Sequence, residues 1–301
     1  MDQEETNLDQ IMIVLENIEA QNLSQEPSIK NWLSNITHPD FKLIDSMINL
    51  FLDNILDLTL SKNILKVLRK LNMYQRDQIL PQLTSNKKFP MALSEYITKN
   101  KPSDVSGDAF VLLGEIFITS SFKEVTTKKF VNSIFDAVSI IDDEDVFNSI
   151  VLILTQINFE TKDNEENIFT LVFQDHENGR YLVEGLLRIL NNTEDKKTTY
   201  RILKCFNDTM ATTKDCLLYS SDLEAFIGLS IKKLETTTNE ELRMYILNVL
   251  QQITIFDDYY KTKYKIDELI DILESYESSN DVCEENRTIS AKILENINKH
   301  W

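Results

Sequence analysis

The sequence of 301 residues predicts an all-α protein, an armadillo/HEAT-like α-solenoid of stacked helices. Three observations carry that expectation. Apolar residues recur three and four positions apart along almost the whole chain, the signature of helices with one buried stripe, and no alternating strand pattern competes. Glycine and proline number five each, and all five prolines (Pro27, Pro39, Pro81, Pro90 and Pro102) lie before residue 103. The last two hundred residues are therefore almost free of the residues that break helices. The periodic segments, some fifteen of about 10–18 residues, are joined by short polar links. Helical pairs stacked in series bury their stripes on one another and leave one face free, without needing a strict sequence repeat. One helical-repeat domain over 1–301 is expected, with a compact helical bundle as the alternative arrangement.

The elements follow in order. Residues 1–60 hold eleven acidic and two basic residues, so half of the formal charge of −18 sits in the first fifth of the chain. Leu8, Ile11, Val14, Leu15 and Ile18 mark a first amphipathic helix whose acidic side reads as a solvated outer face, suited to the polar end cap of a solenoid. Pro27 opens a short helix around Trp32. A longer one follows Pro39, with Phe41, Ile44, Met47, Ile48, Phe51 and Ile55. The next helix, capped by Ser61, splits in two: Ile64, Leu65, Leu68 and Leu71 face one way, Lys62, Lys66, Arg69 and Lys70 the other, with Arg76 just beyond. That basic face reads as a solvated surface, or else as a site for an acidic partner.

Residues 84–108 are expected to form long surface loops around a short helix. Helices follow at Phe110 to Ile118, Phe130 to Ile140 and Val146 to Ile157. The cluster Asp142-Asp143-Glu144-Asp145 immediately precedes the last of these, where carboxylates cap free N–H groups and meet the positive end of the helix dipole. It lacks the spaced Gly and later Glu of a calcium loop, so capping is preferred to metal binding.

The centre of the chain is its most regular part. Four helices follow one another from residue 181 to 273, marked by Leu182, Leu186, Leu187 and Leu190, by Ile202, Leu203, Phe206 and Met210, by Leu223, Phe226, Ile227, Ile231 and Leu234, and by Leu242, Tyr245, Ile246, Val249, Leu250 and Ile253. Capping boxes are read at Ser221 with Glu224 and at Thr238 with Glu241. A last helix carries Ile289, Ile293, Leu294 and Ile297, and Trp301 is expected to pack on the final pair.

Composition narrows the function. An excess of 49 acidic over 31 basic residues argues against nucleic acid or an anionic membrane as the main partner, since both need cationic surface. No apolar run reaches the roughly 18 residues of a membrane span, and the acidic N-terminus shows no secretory h-region, so a cytoplasmic protein is expected. Cys205, Cys216 and Cys283 show no paired spacing, and Cys205 reads as a buried free thiol. His38, His176 and His300 stand in separate segments outside any ligand motif. Glycine-rich phosphate loops, His-Glu-x-x-His and a nucleophile elbow are all missing, so no enzyme, cofactor or metal site is expected.

Three segments carry a resemblance. They are Lys204-Cys205-Phe206-Asn207-Asp208-Thr209-Met210, then Leu218-Tyr219-Ser220-Ser221-Asp222-Leu223, then Arg243 to Leu247 followed by Tyr259-Tyr260-Lys261 and Tyr264-Lys265. Together they resemble the leucine-rich, armadillo-type domain of the WISH/DIP family, SH3-interacting activators of the actin-related protein 2/3 complex. The likeness is centred on 181–273. The chain departs from the family pattern with Asn207-Asp208-Thr209 in place of Asn-Glu-Gln and Ser221 in place of Asn, and it holds no Pro-x-x-Pro, so SH3 binding is not carried over. The resemblance implies a regulator at the cortical actin cytoskeleton. Such a protein binds and activates the complex without a preformed filament, seeds linear filaments, and meets filament pointed ends through the complex. The polar residues near the matching segments, Asn207, Lys214, Arg243, Lys261, Lys263 and Lys265, are the expected contacts. A helical-repeat adaptor or scaffold with no activating role is the alternative.

Overall fold

The computed structural model describes the chain except residues 1, 22–25, 121–122, 163–164, 213–217, 219 and 301, and except the side chains of 2–9 and 180. Trp301 and Cys216 thus lie outside the described residues. The protein is 82% helical, with seventeen α-helices and no strand among the described residues. The fold is the all-α, solenoid-type architecture that the periodicity predicts. Its contacts group it into two compact units, Met1–Leu154 and Thr155–Trp301.

The first unit holds α1 (Asp2–Ala20), α2 (Pro27–Ile36), α3 (Leu43–Asp53), α4 (Leu58–Tyr74), α5 (Arg76–Ser85), α6 (Lys88–Lys99), α7 (Gly107–Thr119), α8 (Lys128–Val138) and the start of α9 (Glu144–Glu160). Helix α4 packs on α1, α3, α5 and α7, while α6 packs on α3, α7 and α8. The core is aromatic where α3 meets α6: Phe51 makes edge contacts with Phe89 at 5.7 Å and Tyr96 at 5.8 Å, all three fully buried.

The second unit holds the end of α9, then α10 (Ile168–Asp175), α11 (Gly179–Asn192), α12 (Lys196–Thr212), α13 (Ser220–Thr236), α14 (Glu240–Ile253), α15 (Asp257–Thr262), α16 (Ile266–Ser278) and α17 (Glu284–His300). Its helices form two rows. In one, α12 touches α10 and α14, and α14 touches α17; in the other, α13 touches α11, α15 and α16. Phe206 and Phe226, 5.2 Å apart and fully buried, lock α12 to α13 across the rows. This is the stacking of a solenoid, in which each helix buries its stripe against its neighbours.

Several local expectations need correction. The start of α4 is capped by Asp57, which accepts from the N–H groups of Thr59 and Leu60. Ser61 lies inside the helix, buried, donating to the Asn54 carbonyl at 3.2 Å. At α14 the cap is Asn239, accepting from Leu242 N–H at 3.0 Å, one residue later than the Thr238–Glu241 box; Asn is the stronger cap. Helix α13 already includes Ser220, so Ser221 sits in its first turn rather than at its cap. Phe41 is 68% exposed in a short turn before α3, and Val14 faces solvent on α1. The short helix expected within 84–108 is there as α6, and only the links on either side of it are shorter than the long loops expected. Phe89, Leu93, Tyr96 and Ile97 supply the buried stripe of α6, and Pro90 falls in its first turn, where a missing N–H costs little.

The acidic cluster does cap its helix: Asp143 accepts from Val146 N–H at 3.0 Å. The basic face of α4, however, is mostly engaged by the chain itself. Lys66 bonds Glu16 at 2.9 Å, Lys70 pairs with Glu19, and Arg69 reaches Asp108 at 3.2 Å and Asp145 at 3.5 Å. Arg76 donates to Glu115 at 2.7 Å. Periodicity places charges on a face, but it does not show which other helix will turn an opposite charge toward them.

Candidate docking surface

The second unit carries an open groove of about 610 Å³ along α13. Leu187 of α11 and Ala225 and Leu229 of α13 give it an apolar floor, and Tyr264 stands at its side. Its polar groups come from Asp222 and Glu224 in the first turns of α13, Lys232 near its end, and Glu184 and Arg188 of α11. Charges so placed suit the dipole of α13 and give the groove both signs of charge. Gly228 lies in mid-helix on the groove. A Cβ there would meet only the Tyr264 side chain, with the hydroxyl at 3.5 Å. The glycine keeps α13 bare where it lines the cleft.

Tyr264 is positioned by an unusual turn between α15 and α16. Lys263, the C-cap of α15, and Lys265, the N-cap of α16, both adopt the left-handed conformation at φ 50°. That region is uncommon for residues with a Cβ. The turn is anchored from below by Tyr259, which is fully buried, and by Tyr260, whose hydroxyl donates to the Thr254 carbonyl at 2.7 Å. Burial, helped by Asp257, pushes the Tyr260 phenol up to about 12. The tyrosine pair of the matching segment therefore supports the turn.

The expected contact residues are placed as follows. Lys261 is exposed and pairs with Asp258 at 2.6 Å; Lys265 pairs with Glu268 at 2.7 Å. In both, the carboxylate partner raises the ammonium above its ordinary value. Lys263 is exposed on the same turn, so the structure brings these three together beside Tyr264. Arg243 stands apart, fixed within the fold. It pairs with Glu240, donates to the Thr237 carbonyl at 2.7 Å and lies over the Tyr276 ring at 5.0 Å. Asn207 is half-buried in the middle of α12, away from any helix end. Lys214 lies outside the described residues.

Asn207 adjoins a polar cluster at the joint of α9, α10 and α12. Asn158, fully buried, donates to Asp208 at 2.9 Å and accepts from Asn167 at 2.7 Å, while Lys204 bonds Asp208 at 2.6 Å and the Asn158 carbonyl at 3.3 Å. The matched segment 204–210 thus serves partly to tie α12 to α9. Next to it Cys205 is fully buried, and burial pushes its thiol well above its ordinary value.

Sequence reasoning passed over Gly228, Lys232 and the α11 side of the groove. The one available signal was a glycine inside an otherwise strong helical pattern. Among the described residues no group of three His, Cys, Asp or Glu could hold a metal ion, and no helix is long and apolar enough to cross a membrane.

A comparison with curated proteins gives no match. The family profile of the SPIN90/Ldb17 leucine-rich domain, in contrast, matches residues 112–269, just over half of the chain, and that span includes the groove, the lysine turn and the polar cluster. The chain belongs to the SPIN90/Ldb17 leucine-rich domain family, a family linked to actin regulation.

Proposed function

We propose that this protein binds the actin-related protein 2/3 complex and activates it without a preformed filament, seeding linear actin filaments at the cortical cytoskeleton. The observation that carries the reading is the family match over 112–269, which takes in both helices of the groove. The action is mechanical and not enzymatic. The α13 groove and the lysine turn beside it dock the complex, and docking favours the active arrangement of its two actin-related subunits. To shift that equilibrium the protein binds the active arrangement more tightly than the inactive one; a change from 1:99 to 99:1 needs about a 10⁴-fold preference. Because the protein stands in for a mother filament, no branch point forms. It meets actin through the complex, on the filament's pointed end.

The test mixes the chain with purified complex and actin monomers, omits preformed filaments, and images single filaments. Faster assembly of unbranched filaments, saturating with the chain's concentration, is the expected result. No acceleration, or branches that appear only once filaments are supplied, overturns it. Two variants probe the surface in the same assay. Gly228→Gln fills the groove without a backbone clash, and charge reversal of Lys261, Lys263 and Lys265 together inverts the turn; both are expected to weaken binding while leaving the helical circular dichroism intact.

The groove also supports a second reading, a helical-repeat adaptor. Its mixed lining and apolar floor suit a partner segment whether or not activation follows. Binding of the complex with no change in filament formation selects it.

A further inference from the structure

Lys62, Lys66, Lys70 and Tyr74 recur every four residues along α4 and so lie along one side of it. Helix α1 is seated there. Glu16 meets Lys66 at 2.9 Å and Glu19 meets Lys70, and Glu19 also adds to the rise that burial gives the Tyr74 phenol. The two pairs step forward together on both helices, so α1 runs parallel to α4. Leu15 and Ile18 close over the seat, both almost wholly buried. What the seat takes is therefore visible: an aliphatic residue followed by a carboxylate, repeated three residues on.

Helix α1 holds this seat lightly. Among residues 10–20 only Leu15 and Ile18 are buried, whereas α4 buries Leu60, Ile64, Leu65, Val67, Leu68 and Leu71. Ile13 is 58% exposed on the outer side of α1, and the main contact of α1 is with α4. Both ion pairs are reached by water and salt, which screen them. Over its described side chains, from residue 10 to 20, α1 buries little surface, and a helix end held so lightly opens before the core does. Beneath it lies a run of cations, Lys62, Lys66, Arg69 and Lys70, in a chain of net charge −18.

We propose that the Lys62–Tyr74 face of α4 is a binding site for an acidic amphipathic helix of a partner protein, and that α1 fills it as an internal competitor until such a helix displaces it. The partner is defined by what α1 displays: aliphatic residues on one side, carboxylates beside them in register with Lys66 and Lys70. The site lies in the first unit and does not rest on the actin reading. Because α1 is tethered, its effective concentration is in the millimolar range. A free helix therefore binds appreciably only once α1 has been loosened.

The test uses the full chain and, as probe, a fluorescent peptide with the sequence of residues 2–20. Glu16→Lys with Glu19→Lys turns the two attractions into repulsions and loosens α1. The expected result is probe affinity at least about tenfold above that of the unaltered chain, falling as salt rises from about 0.05 to 0.5 M. Adding Lys66→Glu and Lys70→Glu re-pairs α1 with reversed charges and returns the affinity to the unaltered level. Equal affinity in all three proteins overturns the proposal. Hydrogen exchange in the unaltered chain gives a check that needs no variant. The α1 amides are expected to exchange at least about 100-fold faster than those of α4, and equal protection overturns the claim that α1 is displaceable.

Discussion

The two units use their charges differently. In the first, the cations of α4 reach across the fold: Lys66 to Glu16, Arg69 to Asp108 and Asp145, with Arg76 just after the helix reaching Glu115, all partners far apart in sequence. In the second, Lys261, Lys265 and Arg243 pair with carboxylates three residues away. There, hydrogen bonds tie the helices together. Tyr276 of α16 donates to the Leu234 carbonyl of α13 at 2.6 Å, and Asn286 of α17 donates to the Glu240 carboxylate of α14 at 2.8 Å. Screened ion pairs join helices reversibly, while part-buried hydrogen bonds hold geometry. The first unit has an end helix that can be released, and the second presents a preformed groove.

The strongest way to break this comparison is through the cores, which should behave alike. Phe51→Ala in the first unit and Phe206→Ala in the second each remove a fully buried ring with aromatic neighbours. Each is expected to destabilise its own unit by about 3–5 kcal/mol. Urea titration followed by hydrogen exchange, resolved by segment, checks both size and location. Loss of protection in the α13–α14 region of the Phe51 variant counts against two separately stable units.

Next comes acid. Burial alone would raise the Glu240 carboxyl, but the Cys283 N–H at 3.1 Å, Asn286 and the nearby Arg243 outweigh it and hold the group at about 2. The folded value lies below the ordinary 4.5. The stabilisation is therefore complete above that pH and is lost as pH falls from about 4.5 toward 2. Glu240→Gln should cost about 1–2 kcal/mol near neutral pH, discounted for partial exposure, and should flatten the acid limb measured on α17. An unchanged acid limb removes Glu240 as its cause.

The first unit should answer to salt instead. Arg69→Met, which ends the bridge from α4 to Asp108 and Asp145, is expected to cost about 1 kcal/mol at low ionic strength and less at high salt. A cost that does not vary with salt would show that the Arg69 stem matters through packing.

How much of this was legible in the sequence depends on the range of the forces involved. The apolar stripes read from the sequence are the stripes that pack; Ile202, Leu203, Phe206 and Met210, for example, are all buried on α12. Caps slipped by one residue at Asn239 and by four at Asp57, because neighbouring polar residues compete for the same N–H groups. The links around the short helix within 84–108 proved tighter than expected, because α5 runs on to Ser85 and α6 begins at Lys88. The site was half legible. Lys261, Lys263 and Lys265 do share one turn, but Arg243 proved to be tied to Tyr276, a residue 33 positions later that no local pattern links to it. The groove itself was invisible, since it is made by two helices lying side by side.

The smallest expected effects come from Gly114 and Gly228, each inside a helix of a different unit, and they differ in sign. Neither has positive φ, so neither is required by backbone conformation. At Gly114 of α7 a Cβ would stand 3.2 Å from the Ser149 Cβ and 3.3 Å from its carbonyl oxygen. The backbone of α9 cannot yield as a side chain can, so Gly114→Ala should destabilise the first unit despite alanine's higher helix propensity. At Gly228 of α13 a Cβ finds only the Tyr264 ring edge and hydroxyl at ordinary contact distance. Gly228→Ala should therefore stabilise the second unit by about 0.5–1 kcal/mol, the propensity gain alone. The fold has no use for a glycine there, and the groove does. If Gly228→Ala raises stability but weakens partner binding, and Gly228→Gln folds and binds more poorly still, the bare helix surface is what the partner needs. If Gly228→Ala lowers stability, the glycine serves packing as Gly114 does, and the groove loses its main support.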